Sequence, residues 1–174
     1  MTKEANMKII PNTAKVWLIA DTHFGDESII RFCSRPFETV AEMDRAMTDN
    51  WNKRVGAEDL VFHLGDFGRG DPGQLGETLR GLAGRKRLVM GNHDREMGDA
   101  GFFRALGFEE VYDLPVLFGY CIFSHEPVDI INSKSCFGNV YGHVHDDERY
   151  IARTEHTLCV SVEHQGYAPV CWEG

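Results

Sequence analysis

The stretch Val16-Trp17-Leu18-Ile19-Ala20-Asp21-Thr22-His23 decides the reading of this chain. A short apolar run rich in branched residues reads as a buried strand, and this one ends in a carboxylate and an imidazole. The same arrangement recurs downstream. Leu60-Val61-Phe62-His63-Leu64 ends at Gly65-Asp66, and Arg87-Leu88-Val89-Met90 ends at Gly91-Asn92-His93-Asp94. Tyr120-Cys121-Ile122-Phe123 precedes His125, and Asn139-Val140-Tyr141 precedes Gly142-His143-Val144-His145. Ligands of open α/β sheets bind outside the carboxyl ends of the strands. Strands placed side by side would bring these groups to one edge, where carboxylates, imidazoles and an amide can hold two metal ions.

The segments between these runs set the fold class. Thr39-Val40-Ala41-Glu42 is a capping box, with Glu42 expected to reach back to the Thr39 N–H. Val40, Met43, Met47 and Trp51 follow at helical spacing, so a helix runs to about Arg54. Asp71 caps a second helix that carries Pro72 at its first position and Leu75, Leu79 and Leu82 on one face. A short helix is expected over residues 100–106, and residues 24–38 read as a loop. After Phe108 the pattern changes to short strands, at 111–114, 116–118, 120–123, 139–141 and 158–162, with little helix between them. The first half is thus βαβα and the second half is built of hairpins. That combination predicts an α/β (α+β) chain with a mixed sheet or two stacked sheets, helices outside. No repeat or linker interrupts residues 1–174, which read as a single domain.

Composition excludes some partners. The 174 residues carry a net charge of −9, which disfavours nonspecific nucleic-acid binding and anionic membranes. Lys3 and Lys8 precede an apolar run too short for an export segment, and no run reaches the length of a membrane span. A cytoplasmic location is expected. The five cysteines, Cys33, Cys121, Cys136, Cys159 and Cys171, form no C-x-x-C pair. An odd number without that spacing points to thiols in a reducing compartment rather than a disulfide framework.

Residues two apart on an extended chain face the same side. Asp21 and His23 therefore point into one site, as do His143 and His145, each pair about 6.6 Å apart along the strand. Two ions about 3.5–4 Å apart need a shared negative ligand, and Asp66 is the obvious one. The donor set of carboxylate, imidazole and amide suits manganese, iron, zinc, cobalt or nickel.

The ordered set D-x-H, G-D, G-N-H-D, a lone H and G-H-x-H, spanning Asp21 to His145, resembles the calcineurin-like metallophosphoesterase superfamily. The tail Ser161-Val162-Glu163, with Tyr167-Ala168-Pro169-Val170, is also similar to small members. The resemblance implies two stacked mixed β-sheets, a β-sandwich flanked by α-helices. It implies two divalent metal ions, manganese foremost. Asp21, His23 and His145 would bind the first, and Asn92, His125 and His143 the second. Asp66 would bridge both. His93 would face the substrate and assist the leaving group, with Asp94 orienting it.

The implied activity is hydrolysis of a small phosphate ester, most simply as a phosphodiesterase, by in-line attack of a hydroxide held between the metals. Nuclease and phosphomonoesterase are the alternative activities within the superfamily. A non-catalytic protein-binding scaffold is the remaining reading, disfavoured because every motif position is filled.

Arg31, Arg35 and Arg69 flank the motifs as candidate phosphate clamps, although each also reads as half of a surface salt bridge. Asp26 departs from the pattern. Small relatives that open D-T-H-F-G often continue with histidine, so Asp26 either faces solvent or alters substrate choice. His63, inside the second strand, is expected to be a hydrogen-bonded structural histidine.

Overall fold

The structure, a computed structural model, describes residues 14–128, 138–147 and 156–173. Lys3, Lys8 and residues 129–137, Cys136 among them, lie outside the described residues.

Nine strands and five helices are described. In chain order they are β1 (Val16–Ile19), α1 (Glu27–Phe32), α2 (Val40–Arg54), β2 (Leu60–His63), α3 (Pro72–Gly81), β3 (Arg85–Val89) and α4 (Asn92–Met97). There follow α5 (Ala100–Leu106), β4 (Glu110–Tyr112), β5 (Val116–Phe118), β6 (Cys121–Phe123), β7 (Gly138–Tyr141), β8 (Thr157–Cys159) and β9 (Val170–Trp172).

The strands form two mixed sheets. One has the order β4-β3-β2-β1-β9, and the other β5-β6-β7-β8. Strands β1 to β4 are mutually parallel, with β9 antiparallel on β1. In the second sheet β6, β7 and β8 are parallel, and β5 is antiparallel on β6. The expected pair of mixed sheets with helices outside is the observed architecture.

Period-two alternation divides the core. Trp17 and Ile19 of β1, Val61 of β2 and Leu88 of β3 pack in one cluster with Met43, Met47 and Trp51 of α2 and Leu75 and Leu79 of α3. Their neighbours Leu18, Leu60, Phe62 and Val89 face the other way, toward Phe123 and Val140 of the second sheet and Val160 just past β8. Fully burying each such side chain contributes roughly 1.5–3 kcal/mol, so the two clusters fix the sheets against each other and align their ends.

Local signals explain the helices and one surprise. The Thr39 hydroxyl accepts from Glu42 N at 3.2 Å, as the capping box requires, but the Glu42 carboxylate reaches the N–H of Glu38, one residue before the expected Thr39. Asp71 caps α3 through Gln74 N at 2.9 Å. Residues 24–38, expected as loop, contain α1. Asp26 is its N-cap, accepting from Ser28 N at 2.9 Å, and Ile29 and Ile30 are its buried face. The aspartate that breaks the family pattern is therefore a helix cap. Two further differences are α4, which starts at the candidate ligand Asn92, and β9 on the outer edge of β1. Cys33, Cys121, Cys159 and Cys171 are free thiols. No helix among the described residues is long and apolar enough to cross a membrane.

Candidate metal centre

The carboxyl ends of β1, β2, β3, β6 and β7 meet where the two sheets are stitched together. Ala20 N donates to Val160 O at 3.0 Å, and Val162 N donates to Ala20 O at 3.2 Å. Beyond this seam the motif residues converge. Ligand atoms of Asp21, His23 and His145 lie within 4.8 Å of one another, and so do those of Asp66, His125 and His143. Asp66 stands between the two groups, its Oδ2 3.7 Å from His23 Nε2 and 3.3 Å from His125 Nε2. Asn92 joins the second group, with Oδ1 3.0 Å from His125 Nε2 and 3.1 Å from His143 Nδ1.

The chain reaches this geometry by an unexpected route. Asp21 (φ 59°), His23 (φ 51°), Asp66 (φ 58°), His143 (φ 69°) and His145 (φ 48°) all adopt the left-handed backbone region. Such conformations cost of order 1–3 kcal/mol each in a non-glycine residue, and aspartate and histidine are among the residues that tolerate them best. Extended-strand geometry therefore does not aim these pairs into the site, contrary to expectation; consecutive tight turns do. Thr22 is still turned away, as expected. Its hydroxyl donates to Phe67 O at 2.6 Å, so His63 Nε2 must donate to Thr22 Oγ1 at 2.9 Å. His63 is thus a buried structural histidine beneath the site.

Two glycines make room for the turns. Gly65 has φ +94°, and a Cβ there would lie 2.3 Å from His125 Nδ1. A Cβ on Gly91 would lie 2.1 Å from Asp66 Oδ1.

Asp94 does not orient His93 as expected. Its carboxylate accepts from the backbone N–H groups of Asp66 (2.7 Å), Gly91 (2.9 Å) and Phe67 (3.0 Å), which ties the turn after β2 to the turn after β3. These bonds hold Asp66 in place, and they favour the charged form, although burial outweighs them and raises the carboxyl above its ordinary value. The His93 ring instead has Glu96 Oε2 at 3.3 Å from Nδ1. It stands at the rim, its side chain 38% exposed and its centroid 5.4 Å from that of His23.

Arg35 is also a correction. Its guanidinium is buried, donating to Asp21 O at 2.7 Å, Thr22 O at 2.9 Å and Glu163 Oε1 at 2.7 Å. With its donors engaged behind the first ligand turn, it cannot clamp a phosphate at the mouth. Arg31 and Arg69 are exposed. Burial opposes ionisation of Asp26, but bonds from Ser28 and the nearby His23 and Arg69 hold its carboxyl below the ordinary value.

The sequence reading noted Ser161 and Glu163 only as part of a similar tail and missed that they support the candidate ligands. Glu163 accepts from His145 Nδ1 at 3.0 Å. Ser161 donates its hydroxyl to Asp21 Oδ2 at 2.6 Å, and His143 N donates to the same oxygen at 2.9 Å. The Cys33 thiol lies with His145 and Glu163 in a third group of donor atoms. The proximity of Ser161 and Glu163 to Asp21 depends on chain segments some 140 positions apart, and pattern reading carries no such information.

The protonation pattern fits a site built for cations. Burial pushes His23 down to about 3, so its imidazole is neutral, and its buried Nε2 has no hydrogen-bond partner. A neutral imidazole nitrogen without a partner, 3.7 Å from the Asp66 carboxylate, leaves room for a cation between the two. Burial also works against charge on His125 and His145. Asp66 and Asp21 nevertheless raise His125 to about 9, and bonds with Cys33 and Glu163, with Asp21, raise His145 to about 11. Burial raises Asp21 to about 6. Protons on His125 and His145 thus supply positive charge amid the carboxylates, and the donor set suits borderline or hard divalent ions.

Comparison with known proteins agrees with this geometry. A family described as calcineurin-like phosphoesterase matches residues 14–163. The chain is 32% identical over 163 residues to an uncharacterised protein of Methanocaldococcus jannaschii, covering 90% of this chain and 86% of that protein. It is 34% identical over 87 residues to the gene 66 protein of Mycobacterium phage D29, over 47% of this chain and 41% of that protein. The crystal structure of a protein of unknown function from Aquifex aeolicus superposes with a TM-score of 0.73 at 27% identity, covering 91% of this chain and 95% of that one. With the family matching most of its length, and with candidate metal ligands gathered at its strand ends, the chain belongs to the calcineurin-like phosphoesterase family.

Proposed function

We propose that this metal-dependent phosphoesterase is a phosphodiesterase that acts on a small ester with two divalent ions, manganese foremost. The observation that carries the reading is the pair of triads, Asp21/His23/His145 and Asp66/His125/His143, beside the half-exposed His93. Asp21, His23 and His145 would hold one ion, Asn92, His125 and His143 the other, and Asp66 both. Ions so held supply Lewis acidity toward the phosphoryl oxygens and a nucleophile at neutral pH.

The chain's own part is positional and acid–base. Asp94 fixes the Asp66 turn, and Glu163 fixes the ring of His145. His93 stands outside the ligand groups. With its Nδ1 toward Glu96, its Nε2 is the atom that donates a proton to the departing oxygen, a role typically worth about 10²–10⁴-fold in rate. The net charge of −9 supports a small ester over a nucleic-acid polymer. The free thiols suit a reducing, cytoplasmic setting.

The test is a substrate panel on manganese-reconstituted protein, with activated diesters set beside the matching monoesters. Preferential turnover of diesters is expected. Turnover of monoesters alone would contradict the diesterase assignment, and turnover of neither would contradict the enzyme.

A further inference from the structure

Phe32 is the last residue of α1, and its side chain is 81% exposed. It is the most exposed large apolar side chain among the described residues. An isolated exposed apolar residue ordinarily needs no explanation, but the position of this one does. Its ring centroid lies 6.5 Å from that of His145, at 76°. The next residue, Cys33, places its thiol in the donor group around His145. Rings therefore run in sequence from His93 to His23 (5.4 Å), from His23 to His145 (5.3 Å) and on to Phe32.

The local structure fixes that placement. Asp26 caps α1 and Ile29 and Ile30 anchor it in the core. The helix then ends beside His145 with a flat apolar ring facing solvent. The other strongly exposed apolar side chains, Leu114, Leu117 and Tyr120, lie on or beside β5.

We infer that Phe32 is a stacking platform for a flat aromatic group carried by the phosphate ester, so that the substrate class is a nucleotide or a comparable aryl or heteroaryl ester. The inference rests on the phosphoesterase reading above. A phosphate seated on the ligand groups would have its aromatic substituent within reach of the Phe32 ring. Base–aromatic stacking tolerates any base because each offers a π-face. The platform selects for a flat ring without selecting among rings.

The test compares two ligands on metal-loaded protein by calorimetry, adenosine 5′-monophosphate and ribose 5-phosphate, which share the phosphate and sugar and differ in the base. The wild-type chain is expected to bind the nucleotide about tenfold more tightly or better, within the range for one stacked base. Phe32→Ala should bring the affinity ratio close to one, and Phe32→Trp should preserve it. Leu117→Ala, an exposed apolar truncation on β5, should leave the ratio unchanged. A ratio near one in the wild-type chain, or a ratio unaltered by Phe32→Ala, would overturn the inference. Because binding is read without turnover, a protein that hydrolyses no ester yet keeps the ratio would sink the phosphoesterase reading and leave the stacking role standing.

Discussion

Glu163 Oε1 accepts from His145 Nδ1 at 3.0 Å, and Arg35 donates to the same oxygen from Nε at 3.0 Å and Nη2 at 2.7 Å. The carboxylate fixes the orientation of the ring and leaves Nε2 as the candidate ligand atom, a relationship common where histidine binds metal. Arg35 in turn fixes the carboxylate and holds the carbonyls of Asp21 and Thr22. One buried guanidinium thus supports Asp21 and, through Glu163, His145, both candidate ligands of the first ion.

Glu163→Gln keeps an acceptor for His145 but removes the charge. It is expected to weaken the first metal roughly 10–100-fold and to spare the second, as read by metal titration. Arg35→Met leaves the buried Glu163 with His145 as its partner and frees the carbonyls of Asp21 and Thr22, and should destabilise the fold by about 1.5–3 kcal/mol. Chemical denaturation measures that change. A loss below about 1 kcal/mol would place Arg35 outside the framework of the site.

Gly91→Ala tests the close approach after β3. The backbone there has φ −85°, which alanine adopts freely, so any defect comes from the Cβ meeting Asp66. The variant is expected to fold, by circular dichroism, and to bind metal at least roughly tenfold more weakly, as for other disturbed supporting contacts. Unchanged metal affinity would show that Asp66 can shift at no cost.

The metal-free protein should lose stability on the alkaline side. The folded-state values of His125, about 9, and His145, about 11, lie above the ordinary 6.5. Their contribution is therefore fully present below about pH 6.5 and is lost as pH rises through 9 and then 11. Metal must displace the same protons, so metal affinity should rise with pH over this range. Thermal melts from pH 7 to 10, with and without metal, check both statements. Flat melts for the metal-free protein would contradict them.

His93→Ala separates catalysis from metal binding. The rate is expected to fall about 10²–10⁴-fold with metal content unchanged, measured by steady-state kinetics beside elemental analysis. Loss of metal with the rate would make His93 a ligand instead.

The strands and the convergence of the candidate ligands were legible because each candidate follows an apolar run, as Leu18-Ile19-Ala20 precedes Asp21 and Phe62-His63-Leu64 precedes Asp66. The unbroken apolar runs marked buried strands, but which side chain faces which layer came only from the folded chain. The helix α1 was not legible: it spans only six residues, and its apolar face is a single pair, Ile29 and Ile30. Asp26 read as a pattern break until the Ser28 N–H showed it to be a cap. Asp94 was misjudged because sequence adjacency to His93 suggested contact, whereas the carboxylate reaches across to Asp66 and Phe67. Arg35 and Glu163 are 128 positions apart, and only the folded chain brings them together.

The central claim is that two ions act together across Asp66. Stepwise addition of Mn²⁺ to metal-free protein, with ester hydrolysis and bound metal followed in parallel, tests it most directly. Activity is expected to rise chiefly with the second equivalent, and Asp66→Asn should abolish it. Full activity at one equivalent, or none with two ions bound against the whole ester panel, would contradict the account.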